Sequence, residues 1–356
     1  MTKLFETLTI RDLTVRNRVW VAPMCQYSAE ERDGVPTEWH LVHYGARATG
    51  GAGLVVVEAT AVSPEGRISP WDTGIWSDEQ ADGWAYIIDF MHSQGAAVGV
   101  QLAHAGRKAS VYREWSGHGS VPIDDGGWPS VSATDEAFPG YEAPRMLETA
   151  EVSDVVKDFI NAARRAQDAG FDVVEIHAAH GYLIHQFLSP LTNTRTDIYG
   201  GSLENRARML LEIVEGIRAE VGEGMPILVR FSATDYVEGG WDEEQTSIVA
   251  GWCAEVGADL FDISTGGLVA GVKIPIGPGY QVPIAEFVAN RVDEPVAVVG
   301  QITTGEQAEE ILQRGNVDVI MIGRAELRDP MWPLRAAHEL GVEVDYWPNQ
   351  YSRGKF

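Results

Sequence analysis

Two histidines and a tyrosine follow an apolar stretch of the chain and are the first residues whose types could carry out chemistry. In "VVEIHAAHGYLIHQF", His177, His180 and Tyr182 lie where an apolar strand runs into a glycine. Two imidazoles can donate hydrogen bonds to an oxygen that becomes negative in a transition state, and the phenol can donate a proton. Two other interpretations stay open: a zinc or iron site, which needs at least a third ligand, and histidines buried against backbone carbonyls.

An arginine interrupts a later apolar run. In "PILVRFS", Arg230 carries a guanidinium into an apolar strand, where it must meet an anion or remain unpaired at a high free-energy cost. A ligand that becomes negative during turnover, such as a reduced flavin, would satisfy it, and Gln101 could offer an amide to the polar edge of the flavin ring. An ion pair with a carboxylate inside the fold, such as Glu175, would also explain Arg230.

Eight short β-branched runs recur along the chain, and helical patterns separate most of them. The runs are VWVAPM, GLVVVEA, AAVGVQLAH, FDVVEIHAAH, PILVRFS, ADLFDIS, PVAVVG and VDVIMIG. The helical patterns cover residues 153–169, 203–221, 242–256 and 304–313. This alternation is typical of parallel β-α units, eight of which close into a (β/α)8 (TIM) barrel of the α/β class. A doubly wound sheet is less favoured, because no G-x-G-x-x-G turn follows the first run.

Two stretches fall outside the repeat of strands and helices. Residues 4–15 alternate in polarity as a short hairpin would, and they could close the N-terminal end of the barrel. Residues 110–148 contain Gly, Pro and Trp, follow the third strand, and are too long for a simple connection. We expect them to form an inserted lid within one domain that spans residues 1–356.

The residues that end the last two strands indicate a phosphate site. Active sites of such barrels lie at the carboxyl ends of the strands, and the last two loops often bind phosphate through backbone N–H groups. Gly300 and Gly323 would let the backbone approach a ligand closely, and Arg324 would add a charged contact. Taken alone, both glycines could also be ordinary turn residues.

Composition and charge narrow the class of protein. The formal net charge is −25, with five lysines against 22 arginines, so we expect neither nucleic acid nor a membrane surface as a partner. The same acidic, lysine-poor composition suits high salt and makes a halophilic source a hypothesis. Cys25 and Cys253 are the only cysteines, too few for a disulfide framework. With no long apolar segment, the sequence predicts a protein of the reducing cytoplasm.

Four blocks of the sequence resemble one known family. APMCQYS, QLAHAGRKA, EIHAAHGYLIHQFLSPLTNTRTDIYGGSLENRARMLLEIV and MIGRAELRDP resemble the Old Yellow Enzyme family of FMN-dependent ene-reductases, and in particular its bacterial branch with a cysteine near the flavin. The resemblance implies tight, non-covalent FMN and NADPH or NADH as the reductant. It also implies reduction of the activated C=C bonds of α,β-unsaturated carbonyl or nitro compounds.

The resemblance also implies roles for individual residues. His177 and His180 would hold the activating oxygen of the substrate. Tyr182 would donate the proton, and Tyr27 would contact the substrate. Cys25 would lie against the flavin ring and tune its redox behaviour. The flavin contacts would come from Ala22, Pro23, Met24, Cys25, Ala59, Gln101 and Arg230, with Gly300, Gly323 and Arg324 at the phosphate.

The C-terminal tail, residues 345–356, suggests an assembly. Its end, "NQYSRGKF", looks like the segment that brings an arginine into a neighbouring subunit's site in this branch. Arg353 would have that role, which implies a homodimer or homotetramer, whereas a solvated chain end is the alternative. Two rival functions stay open from the sequence: a metal-dependent TIM-barrel hydrolase that uses His177 and His180, and a flavin-binding barrel without turnover.

Overall fold

Parallel strands form a closed eight-stranded barrel in the computed structural model, which describes residues 2–356. The strands are β1 (Leu8–Ile10), β2 (Leu13–Val15), β3 (Val19–Val21), β4 (Leu54–Ala61), β5 (Ala97–Ala103), β6 (Val131–Ser132), β7 (Arg145–Met146), β8 (Val173–Ala178), β9 (Ile227–Ser232), β10 (Leu260–Ser264), β11 (Val296–Val298) and β12 (Val319–Ile322). The barrel order is β3, β4, β5, β8, β9, β10, β11 and β12, and β12 pairs with β3. The predicted TIM barrel is confirmed.

The α-helices connect the barrel strands and the insertion. They are α1 (Glu38–Thr49), α2 (Asp78–Ser93), α3 (Thr149–Ala169), α4 (Leu183–Leu188), α5 (Leu203–Val221), α6 (Glu243–Glu255), α7 (Val282–Ala289), α8 (Gly305–Gln313), α9 (Arg324–Arg328) and α10 (Trp332–Glu339). Helix α5 has its predicted bounds, and Ser202 caps it. Helix α3 begins earlier than predicted because Glu148 and Glu151 form a capping box. Within residues 2–356, none of the helices is both long and apolar enough to cross a membrane.

The N-terminal hairpin covers the N-terminal end of the barrel, as predicted. Strands β1 and β2 pair antiparallel, with Leu8 opposite Val15. Ile10 and Val15 belong to a buried apolar set, here called the floor cluster, whose barrel members include Trp20, Leu54, Val56, Val173, Leu228, Leu260, Ala297, Val319 and Met321. Removing apolar surface from water stabilises a fold by roughly 25 cal/mol per Å². The floor cluster therefore ties the hairpin to the strands.

Residues 110–148 form an insertion after β5, as predicted, and lie against the carboxyl end of the barrel. Trp128 and Tyr141 pack against an apolar cluster at the ends of β4 and β5. Trp128 Nε1 donates a hydrogen bond to the Glu65 carbonyl at 2.9 Å, and the Arg67 guanidinium lies 4.8 Å from the Trp128 ring centroid. These contacts fix the insertion to the loop after β4. Its action as a lid stays a prediction.

The C-terminal tail ends in a short 3-10 turn, Asn349–Gly354, on the surface. The terminal ring of Phe356 stacks on His338 of α10, with the ring centroids 4.9 Å apart. Arg353 is exposed. Its contact with another subunit stays a prediction.

We expect Trp20→Ala to lower the free energy of unfolding by about 3–5 kcal/mol, because Trp20 is fully buried in the floor cluster and its loss leaves a cavity. Urea denaturation measures the change. Trp39→Ala is the matched control, since Trp39 is 54% exposed on α1 and its loss should cost less than about 1 kcal/mol. Equal losses for the two variants would show that the floor cluster does not have the stabilising role we assign to it.

Candidate active site

His177, His180 and Tyr182 lie together at the carboxyl end of β8. His177 is a buried residue of the strand, whereas His180 and Tyr182 belong to the turn that leads into α4. The ring centroids of His177 and His180 are 5.1 Å apart, and those of His177 and Tyr182 are 5.0 Å apart. The structure thus brings together the three side chains that the sequence singles out.

Burial sets the protonation states of these three side chains. The pKa values of His177 and His180 fall well below that of a free imidazole, because burial and then the charge of Arg230 disfavour the protonated ring. Burial also raises the pKa of Tyr182 well above that of a free phenol. At neutral pH the site therefore presents two neutral imidazoles, each with one N–H donor, and a phenol that keeps its proton.

Arg230 forms an ion pair with a carboxylate inside the barrel, as the alternative interpretation expected, but the partner is Asp262 and not Glu175, the example that the sequence offered. Nε of Arg230 lies 2.9 Å from Oδ2 of Asp262. Strand register explains the difference: Arg230 on β9 is the direct neighbour of Asp262 on β10, whereas Glu175 on β8 is the neighbour of Gln101 on β5. Gln101 Nε2 donates to Glu175 Oε1 at 2.7 Å. Part of the Gln101 amide, which we expected to face the flavin, is therefore used inside the protein.

The buried ionisable side chains of Glu175, Arg230 and Asp262 carry almost no net charge together. Burial, followed by the nearby charge of Asp262, raises the pKa of Glu175 to about 8, so this carboxyl group keeps its proton at neutral pH. Asp262 and Arg230 then neutralise each other. Nε of Arg230 lies against Asp262, and across the described residues the two Nη groups of Arg230 have no hydrogen-bond partner. Arg230 also lines the neighbouring cavity, which leaves these donors for a ligand there.

A cavity of about 320 Å³ opens at the carboxyl ends of β11 and β12. Its lining residues include Gly300, Gly323 and Arg324, which the sequence predicts at a phosphate site. The full lining is Arg230, Ser264, Tyr280, Gln281, Val299, Gly300, Gln301, Ile302, Thr303, Met321, Gly323, Arg324, Ala325 and Arg328. Three of these side chains are arginines and none is a carboxylate, although the chain carries a net charge of −25. Such a lining favours an anionic ligand.

Four residues of the site were not predicted from the sequence. Ser264 ends the sixth barrel strand, so the rule of strand ends would have indicated it. Gln281 accepts a hydrogen bond from Thr265 Oγ1 at 2.8 Å, and no sequence signal marks it. Arg328 follows Arg324 by four residues on α9, the spacing of one helix face. The fourth missed residue is Lys108.

Lys108 contacts the turn that carries His180. Its Nζ donates to the carbonyl oxygens of His180 and Gly267, both at 2.9 Å, and lies 5.1 Å from the ring centroid of Tyr182. Burial, followed by the charge of Arg107, lowers the pKa of Lys108 to about 8. A cation is thus held beside the phenol, and it titrates close to neutral pH.

Cys25 and Tyr27 lie on the same apolar cluster as Tyr182, together with Trp128 and Tyr141 of the insertion. Burial, with the nearby charges of two carboxylates, raises the pKa of Cys25 well above that of a free thiol, so Cys25 is a neutral thiol. The predicted flavin contact Ala59 is part of the same cluster. The surface that this cluster offers to a ligand is therefore apolar, and its thiol is neutral.

The end of β3 lies next to the end of β12. Ala22 N–H donates to the Ile322 carbonyl at 3.0 Å. Met24 Sδ lies 3.8 Å from the position that a Cβ on Gly323 would take. Pro23, between Ala22 and Met24, is partly buried. The predicted contacts from the start of the barrel therefore adjoin the cavity.

These features fit FMN. A phosphate monoester carries between one and two negative charges at neutral pH, and Arg324 and Arg328 could neutralise them. Arg230 has free donors for the polar edge of a flavin ring, and the cluster around Cys25 could pack against its apolar part. Buried His177 Nδ1 has no hydrogen-bond partner in the described part of the chain, which indicates a ligand there.

The structure does not support a zinc or iron site at His177 and His180. Among residues 2–356 no group of three or more His, Cys, Asp or Glu side chains is placed to hold a metal ion. His180 Nε2 instead hydrogen-bonds Ser264 Oγ at 2.8 Å. The hydrolase alternative is not favoured.

The chain is similar to known flavin-dependent oxidoreductases, which agrees with a site for FMN. The profile of the NADH:flavin oxidoreductase / NADH oxidase family matches residues 3–343. The chain is 47% identical to the NADPH dehydrogenase of Listeria welshimeri over 353 residues, which cover 99% of each protein.

Two solved structures have the same fold. The old yellow enzyme homologue from Zymomonas mobilis is 30% identical, with a TM-score of 0.80 over 99% of this chain and 98% of that one. A 2-naphthoyl-CoA reductase is 28% identical, with a TM-score of 0.87 over 95% of this chain, which spans 52% of that protein. The chain therefore belongs to the NADH:flavin oxidoreductase / NADH oxidase family and is an FMN-dependent NAD(P)H oxidoreductase.

Proposed function

We propose that this oxidoreductase reduces the activated C=C bond of α,β-unsaturated carbonyl or nitro compounds. The observation that carries the proposal is the meeting of two neutral imidazoles and a protonated phenol, with ring centroids 5.0 and 5.1 Å apart, at the carboxyl end of the barrel. Neutral N–H donors stabilise an oxygen that becomes negative without protonating it, while a phenol can protonate a different atom.

Each side chain has one task in this reaction. His177 and His180 donate hydrogen bonds to the carbonyl or nitro oxygen of the substrate and stabilise the charge that develops there. One such donor typically contributes a factor of about 10²–10³ in rate. FMN, held by the three arginines of the cavity, would supply the hydride for the β-carbon of the substrate once NADPH or NADH has reduced it. Tyr182 protonates the α-carbon, and the ammonium of Lys108, 5.1 Å from its ring centroid, stabilises the phenolate that remains.

The surroundings of the site support an apolar substrate. Tyr27 lies on the apolar cluster beside Tyr182 and would contact the body of the substrate. Cys25, as a neutral thiol, would lie against the flavin ring and tune its redox behaviour. The insertion would cover this space with Trp128 and Tyr141.

The protein would form a homodimer or homotetramer and work in the cytoplasm. Arg353 lies in the exposed tail and would reach the site of a neighbouring subunit in a homodimer or homotetramer. Both cysteines are free, which suits a reducing cytoplasm.

An anaerobic redox cycle tests the proposed function and the role of Tyr182. The protein should purify yellow, lose its colour with NADPH, and regain it when 2-cyclohexenone or a nitroalkene is added. Tyr182→Phe should keep FMN and its reduction by NADPH, yet slow reoxidation by the enone at least about tenfold, because its proton donor is missing. Stopped-flow absorbance measures both steps. Reoxidation at the wild-type rate in Tyr182→Phe would exclude Tyr182 as the donor, and a wild type that no activated alkene reoxidises would exclude the function.

The arginine-lined cavity predicts how FMN is recognised. Arg324→Ala should weaken FMN binding by about 10- to 100-fold, since a charge-assisted hydrogen bond contributes roughly 1.5–3 kcal/mol. Riboflavin, which lacks the phosphate, should bind the variant and the wild type equally. Quenching of flavin fluorescence during titration with apoprotein measures both affinities. An equal loss for FMN and riboflavin would mean that Arg324 does not contact the phosphate.

Lys108 predicts a pH dependence. The rate of reoxidation by 2-cyclohexenone should fall as the pH rises through about 8, because Lys108 loses the charge that stabilises the phenolate of Tyr182. Lys108→Met keeps the aliphatic stem and should give a lower rate without this inflection. Lys157→Met is the control, since Lys157 is exposed and pairs with Asp154. An inflection that persists in Lys108→Met would assign the titration to another group.

A further inference from the structure

The turn that carries His180 and Tyr182 has an unusual backbone. His180 has a φ of 58° and Gly181 a φ of 72°, so two consecutive residues are left-handed. For a residue other than glycine this conformation is strained and persists only where the surroundings impose it. The positions of the His180 and Tyr182 side chains therefore depend on whatever holds this turn.

Hydrogen bonds hold all four backbone polar groups of His180 and Gly181. His180 N–H donates to Ser232 Oγ at 2.9 Å, and the His180 carbonyl accepts from Lys108. The Gly181 carbonyl accepts from Gln186 Nε2 at 2.7 Å. The remaining group, Gly181 N–H, donates to Nδ1 of His185 at 3.0 Å. Within residues 2–356, the imidazole of His185 is therefore the only partner of the Gly181 N–H.

This contact determines the tautomer of His185. Because Nδ1 accepts a hydrogen bond, the proton of the neutral ring is on Nε2. Nε2 lies 3.0 Å from Oδ1 of Asp235, and both side chains are fully buried. The carboxylate is thus in direct contact with one nitrogen of the imidazole, and the other nitrogen accepts from the Gly181 amide.

Asp235 is held as a carboxylate. Its Oδ2 accepts hydrogen bonds from Ser189 Oγ at 2.7 Å and from the Trp241 N–H at 2.9 Å. Burial alone would raise the pKa of Asp235, but the contact with His185 and the hydrogen bonds from Ser189 and Trp241 outweigh burial and lower it. Asp235 therefore presents a negative oxygen to Nε2 of His185 and cannot donate a proton to it at neutral pH.

We propose that Asp235 and His185 are positioning residues: Asp235 fixes the tautomer of His185, and His185 holds the Gly181 amide in the turn that aims His180 and Tyr182. The inference deepens the proposed function and rests on it. Neither residue contacts the cavity lined by arginines, so the two should act on the substrate side of the site and not on FMN retention.

Asp235→Asn tests the contact between Asp235 and His185 with almost no change of volume. Ser189 and Trp241 both donate to Oδ2, so the Asn oxygen should take that place and its NH2 group should face His185. The imidazole would then accept at Nε2 and carry its proton on Nδ1, where it would oppose the Gly181 N–H. A donor facing a donor breaks the contact that holds the turn.

The readout is the affinity of the oxidised, FMN-loaded protein for 4-hydroxybenzaldehyde, a phenol that mimics a negative oxygen at His177 and His180. Absorbance changes of the flavin report its binding at a fixed pH. We expect Asp235→Asn to keep its FMN, to bind the phenol about tenfold or more weakly, and to be reoxidised by 2-cyclohexenone at least about tenfold more slowly. Wild-type affinity and rate in Asp235→Asn would overturn the inference.

Asp172→Asn is the matched control, because Asp172 pairs with His92 at 2.7 Å and bonds Val98 N–H at the start of β5, at the opposite end of the barrel. It should lower the melting temperature without changing phenol affinity. If Asp172→Asn lost as much affinity for the phenol as Asp235→Asn, general destabilisation would explain both losses. That result would overturn the inference. A wild type that binds the phenol but reduces no alkene would instead refute the proposed function, while the phenol affinities would still test the positioning.

A pair of variants at His185 decides the question if Asp235→Asn does not fold. His185→Asn keeps an acceptor at the place of Nδ1, whereas His185→Leu does not, and both leave Asp235 without its imidazole. At equal FMN content, His185→Asn should bind 4-hydroxybenzaldehyde several-fold more tightly than His185→Leu, because only the former can hold the Gly181 amide. Equal affinities would show that this acceptor does not position the turn.

Discussion

The parallel pairing of β12 with β3 closes the barrel, and the rest of the site depends on that closure. Ile322 is the register partner of Val21. The N–H of Ala22, the residue that follows β3, donates to the Ile322 carbonyl. The closure brings Met24 next to Gly323, although about three hundred residues separate them in the chain. The apolar side of the site and its arginine-lined side therefore adjoin because the sheet closes on itself.

Electrostatics divides the site into two parts. On the side of β11 and β12, three arginines face one cavity without a carboxylate among its lining residues. On the side of β8, burial keeps His177 and His180 neutral and Tyr182 protonated. Permanent charge suits the binding of a phosphate, whereas neutral donors suit a charge that exists only during the reaction. One barrel thus supplies both environments from neighbouring strand ends.

The sequence predicts most of the barrel because burial leaves a periodic pattern, and the eight apolar runs became its eight strands. It predicts that Glu175, Arg230 and Asp262 lie in apolar strands, but not which of them pair, since strand register decides that. Lys108 and His185 escape prediction for a related reason. Each acts on the His180 turn through a contact that depends on how a loop folds back, and residue spacing does not contain that information.

The contrast between an acidic exterior and a basic cavity has a consequence for the capture of cofactors. A net charge of −25 repels an approaching dinucleotide or flavin phosphate at long range, whereas Arg230, Arg324 and Arg328 attract it only at contact. Dissolved ions screen forces beyond roughly 8 Å at physiological ionic strength but affect partly enclosed contacts far less. Rising ionic strength should hence speed the arrival of these anions more than it hastens their departure, the reverse of what basic nucleotide-binding surfaces do.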